Sequence, residues 1–74
     1  MFYAFYADGR EMMVPRLHLI EAESPRQAAM KFKGLLADES ISVEHFEVDA
    51  EDRGLASKAS NILGFILYDE EENN

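Results

Sequence analysis

The amino terminus carries the feature that most narrows the fold: residues 2–7, Phe-Tyr-Ala-Phe-Tyr-Ala, run directly into Asp8-Gly9. An aromatic-rich run reads as a strand, and Asp-Gly tolerates positive φ at both central positions of a type I′ turn, so the two together predict a tight hairpin. With Asp8 and Gly9 as a two-residue loop, Ala7 pairs with Arg10, Tyr6 with Glu11, Phe5 with Met12, Ala4 with Met13 and Tyr3 with Val14. Alternation then sets Tyr3, Phe5, Met12, Val14, Arg16 and His18 on one face, and Phe2, Ala4, Tyr6, Met13, Leu17 and Leu19 on the other. Pro15 cannot donate a ladder hydrogen bond, which assigns the second strand to a sheet edge.

Ser24-Pro25-Arg26-Gln27 combines a Ser N-cap, Pro at the first helical position and Gln three residues after the cap, so a helix starts here. Ala28, Ala29, Phe32, Leu35 and Leu36 recur at helical spacing as its buried stripe, with Arg26, Met30 and Lys33 opposite and an end near Ala37 or Asp38. Residues 40–50 alternate, with Glu44, Phe46 and Val48 on one side and Val43, His45, Glu47 and Asp49 on the other, as an edge strand with one wet face does. Residues 53–61 read as a loop or a short helical turn. Leu55, Ala59, Ile62 and Leu63 also fit a helix capped by Asp52 and stopped by Gly64. Residues 63–69, apolar on both faces, read as a central strand.

These elements assemble into an α+β domain of ββαββ plan: a four-stranded, mostly antiparallel sheet of order 2-1-4-3 with one long helix on one face. One domain spans residues 1–69, and residues 70–74, Glu-Glu-Glu-Asn-Asn, form a disordered acidic tail with nothing to bury. The 74-residue chain is 47% hydrophobic and 30% charged, which suits a folded domain rather than an acidic disordered segment. Cysteine is absent, so disulfides and thiolate metal sites are excluded. No apolar run approaches the roughly 20 residues of a membrane span. The N-terminal run lacks the basic region and small-residue cleavage site of a secretory signal, and a cytoplasmic location is the expectation.

The formal charge of -8 is unevenly spread. Arg10, Arg16, Arg26, Lys31 and Lys33 slightly outweigh the four acids up to residue 37, whereas beyond it only Arg53 and Lys58 oppose Asp38, Glu39, Glu44, Glu47, Asp49, Glu51, Asp52 and the acids of residues 69–72. Such a field disfavours direct contact with nucleic acid or an anionic membrane and favours a basic protein partner. An acidic surface also keeps a small protein dissolved, and that explanation stands beside the functional one.

Catalytic equipment is sparse. His18 and His45 are the only imidazoles, His18 with Glu21 or Glu23 makes at most a weak acid-base pair, and none of the serines sits in a Gly-x-Ser-x-Gly turn. Asp49, Glu51 and Asp52 supply oxygen ligands, but their spacing fits no calcium loop, and the four isolated glycines form no phosphate-binding loop. Neither cofactor nor metal is expected, and the chain is read as a non-enzyme.

The aromatic sheet face is the feature that suggests contact with another molecule, because residues of these types are enriched in interface cores. The residues assigned to partner binding are Tyr3, Phe5, Met12, Val14 and Arg16 on that face, with Glu44, Glu47, Asp49, Glu51 and Asp52 along the acidic segment. The opposite assignment of the two faces, with these aromatics as core, stays open. RNA stacking on such a face is disfavoured by the charge. The leading expectation is a small acidic module, an inhibitor or adaptor, docking on a basic and plausibly nucleic-acid-binding protein. An anti-CRISPR or anti-restriction inhibitor of phage type, a DNA mimic, shares this size and charge as a physical analogy. The alternatives are a homodimeric assembly protein pairing through the aromatic face and, less favoured, a small enzyme.

Overall fold

Alternation of Tyr3, Phe5 and Ala7 with Phe2, Ala4, Tyr6 and Asp8 builds the first strand, β1 (Phe2–Asp8), and puts it at the centre of the sheet. The computed structural model describes residues 1–10, 16–39 and 42–69. After β1 come β2 (Arg16–Glu21), α1 (Pro25–Glu39), β3 (His45–Ala50), α2 (Arg53–Gly64) and a π-helical turn (Phe65–Asp69). The three strands form one antiparallel sheet of order β2-β1-β3. The architecture is α+β: three strands and two helices, where the sequence predicts four strands and one.

β1 pairs with β2 through Tyr3–Ile20, Phe5–His18 and Ala7–Arg16, six residues later than a two-residue Asp8-Gly9 loop requires. The end of β1 is held by a different partner. The Asp8 carbonyl accepts from the Glu44 N–H at 2.9 Å, and the Asp8 carboxylate accepts from the Gly9 N–H at 2.8 Å. A Cβ on Gly9 would collide with the Ser42 carbonyl oxygen, so glycine is required there by the approach of a second backbone. Met12 and Val14, with Pro15, lie outside the described residues.

α1 begins as predicted. The Ser24 hydroxyl accepts from the Gln27 N–H at 3.1 Å, while the Gln27 side chain reaches back to the Glu23 N–H at 2.7 Å, one residue before the cap. Ala28, Ala29, Phe32 and Leu36 are buried, but Leu35 is 40% exposed and leaves the expected stripe. The residues read as a fourth, central strand continue α2 instead. The Asp52 carboxylate accepts from the Leu55 N–H at 3.1 Å and starts the helix, whose Ala56, Ala59 and Leu63 are buried. Gly64 does not stop it, since Phe65 keeps a right-handed helical backbone and its N–H bonds to the Asn61 and Ile62 carbonyls. Of the predicted residue 40–50 strand, residues 42–44 precede β3, which keeps only His45–Ala50, while residues 40–41 and the predicted tail, residues 70–74, lie outside the described residues.

Both helices pack on the sheet face of Tyr3, Phe5 and Ala7, α1 against β2 and α2 against β3. Tyr3 is 1% exposed, and Phe5, Phe32 and Leu63 are fully buried. Phe46, Val48 and Ala50 of β3 close this core from one side. Among the described residues, no helix is long and apolar enough to cross a membrane.

Candidate docking face

Cross-strand partners share a face, so the ladder registers place ten side chains on the side of the sheet away from the helices. The β2 column holds Leu17, Leu19 and Glu21; the central β1 column holds Phe2, Ala4, Tyr6 and Asp8; the β3 column holds His45, Glu47 and Asp49. Leu17 and Leu19 are 67% and 68% exposed, the highest values among the large hydrophobic side chains of the described residues, and Phe2 is 55% exposed. Tyr6 is also exposed, and a shallow hollow beside Ala4 is lined by Tyr6, Leu17, Glu47 and Asp49 and continues along β3 to Phe46, Val48 and Ser60 of α2. The face is thus apolar over Leu17, Leu19, Phe2, Ala4 and Tyr6, with Glu21 and Asp8 at the ends of the β2 and β1 columns, and carries Glu47 and Asp49 beside His45 over β3. No lysine or arginine of the three strands is on it.

Tyr3 and Phe5, assigned by sequence to the uncovered face, are core, so the faces are exchanged. Sorting within each face survives, because a register change of six residues is even and leaves each side chain on its own side. Arg16 belongs to the helix-covered face with Ala7, and its guanidinium pairs with the Glu39 carboxylate at the end of α1. His18, on the same side, tilts against the Phe32 ring at 5.6 Å between centroids.

The acidic candidates separate into three groups. Glu47 and Asp49 join the outer face, where Asp49 also accepts from its neighbour Ala50 N–H at 2.9 Å. Glu44 precedes β3 and lies 3.5 Å from the Arg10 guanidinium, a solvated pair of little energetic weight. Glu51 and Asp52 occupy the turn into α2, where Asp52 is committed to capping. Among the described residues, no group of three His, Asp or Glu side chains is gathered to hold a metal ion.

Sequence reasoning overlooked Phe2, Tyr6, Leu17 and Leu19 as a surface. Their alternation was visible, and only the side taken by the helices was not. Tyr68, also overlooked, donates its hydroxyl to the Val43 carbonyl at 3.1 Å and stacks on Phe46, with ring centroids 6.3 Å apart. Partial burial of its hydroxyl, and secondarily the Glu44 carboxylate, raise the Tyr68 phenol above its ordinary pKa, although the residue is 38% exposed. No protein-family model, curated protein or solved structure matches this chain.

Proposed function

We propose that the chain is a small acidic protein-binding module whose outer sheet face docks on a basic partner protein. The observation that carries this reading is the coexistence on one face of uncovered Phe2, Tyr6, Leu17 and Leu19 with Glu47 and Asp49, and the absence of any strand cation from it. Contiguous exposed apolar side chains mark contact surfaces. The acids select what meets them.

The partner's chemistry follows from the layout. β2 and β3 are separated by two strand spacings, roughly 10 Å, so the complementary surface carries a row of apolar side chains beside a row of Lys or Arg at about that distance. An apolar side chain of the partner seats in the hollow over Ala4. Where the partner is a nucleic-acid-binding protein, the carboxylates occupy positions its basic groove offers to phosphates, and the module inhibits by occupancy. That is the mode of an anti-CRISPR or anti-restriction inhibitor.

The test is affinity capture from the native host at low and high salt, with the wild type and with Glu47→Lys/Asp49→Lys. A basic prey held at low salt, released at high salt and lost with the double reversal supports the reading. A prey that ignores both changes contradicts it.

A further inference from the structure

We propose that the free edge of β2 pairs antiparallel with β2 of a second copy of this chain, joining two three-stranded sheets into one of six strands. This inference rests on the backbone and is independent of the docking reading. The Met1 and Ala22 backbones exchange both hydrogen bonds, Ala22 N–H to the Met1 carbonyl at 2.9 Å and Met1 nitrogen to the Ala22 carbonyl at 3.2 Å. Hydrogen-bonded pairs recur every second residue in an antiparallel ladder, so Ile20, His18 and Arg16 also turn their backbone groups toward β1. Leu17, Leu19 and Glu21 therefore turn theirs outward. Lys31 verifies the direction, since its ammonium donates to the outward Glu21 carbonyl at 2.9 Å.

The two edges of the sheet are not equivalent. On β3 the outward N–H of Ala50 is closed by the Asp49 carboxylate, and Glu47 and Asp49 line the strand with charge, the usual protection of an edge against its own kind. Among the described residues, the outward backbone of Leu17 and Leu19 on β2 has no such cover, and the same two residues carry the most exposed leucine side chains. Leu35, 40% exposed, lies one helical turn beyond Lys31 on the flank of α1 that reaches this edge. An unprotected edge of this kind is a template for a strand.

Charge selects the occupant. Two chains of -8 repel, but at the β2 edge Arg16 and Lys31 are balanced by Glu39, which pairs with Arg16, and by Glu21, whereas β3 carries Glu47 and Asp49 with no strand cation beside them. Two copies therefore meet with least repulsion here and with most at β3. A two-fold axis through His18 sets Leu17 opposite Leu19 of the second copy, giving about four backbone hydrogen bonds and a continuous leucine patch on the outer face. An interface of this kind is small, so the dimer forms at micromolar rather than nanomolar concentration.

The experiment is amide hydrogen exchange on the wild-type chain across a concentration series, with light scattering on the same samples. Expected are a mass rising toward twice 8.4 kDa and protection of the Leu17 and Leu19 amides that grows in step, while the Phe46 and Val48 amides are unchanged. Leu19→Lys should remain monomeric throughout, and Met30→Lys, on the far flank of α1, should dimerise as the wild type does. A wild type that stays monomeric at high micromolar concentration overturns the proposal, and so does a dimer whose Leu17 and Leu19 amides exchange freely.

Discussion

The Phe5 ring stacks on Phe32 with centroids 4.7 Å apart and planes 15° from parallel, which locks the central strand to α1. Both rings are fully buried. Of the amino-terminal aromatics, Tyr3 and Phe5 serve the core, while Phe2 and Tyr6 stay on the outer face. Phe5→Ala should cost about 3–5 kcal/mol, the range for deleting a buried aromatic. Leu17→Ala, on the opposite face, should stay within about 0.5 kcal/mol. Urea unfolding of the two variants checks the assignment of faces. Similar losses in both would contradict it.

How far the sequence was legible depends on where the deciding interaction lies. The Ser24 cap is local and was readable in four residues. Asp8-Gly9 has the composition of a hairpin turn, but its glycine serves the Ser42 backbone, thirty-odd residues away in sequence, and no local pattern announces that. Residues 63–69 carry apolar side chains on every side and so suit a strand or a helix. The choice falls to the Asp52 cap and the buried series Ala56, Ala59 and Leu63 that lead into them. Both faces of β1 are apolar, so amphipathicity could sort side chains into two sets and could not say which set the helices cover.

Gly9→Ala should destabilise the fold by about 1–3 kcal/mol, because the added methyl must displace backbone rather than a flexible side chain. Protection of the Glu44 amide, which bonds the Asp8 carbonyl, should fall with it. Thermal denaturation and hydrogen exchange together read this. An unchanged Glu44 amide would refute the close approach.

Asp52→Ala should cost about 1 kcal/mol through loss of the α2 cap. A chelator should leave the circular dichroism of the wild type unaltered, because this carboxylate is engaged with the Leu55 N–H. Unfolding on chelation would reassign Asp49, Glu51 and Asp52 to a structural metal.

Tyr68 should titrate above the ordinary tyrosine value of about 10. Its folded pKa is raised, so the stability its hydroxyl contributes is whole below the unfolded value and is lost as pH climbs through the folded one. Subtracting the tyrosinate absorbance of Tyr68→Phe from that of the wild type isolates this group. A difference curve centred at or below about 10 would contradict the burial and the Glu44 effect.

The central claim is that position on the outer face, and not total charge, makes the acids a docking surface. Titration calorimetry of the captured partner at physiological salt, where the Debye length is about 8 Å, compares two variants of equal net charge. Glu47→Lys/Asp49→Lys alters the outer face, and Glu23→Lys/Asp38→Lys alters acids beyond the three strands. The first should weaken binding by about a hundredfold, on the order of 3 kcal/mol, and the second by no more than about twofold. Equal losses in both would mean that the partner senses only overall charge, and would contradict the account.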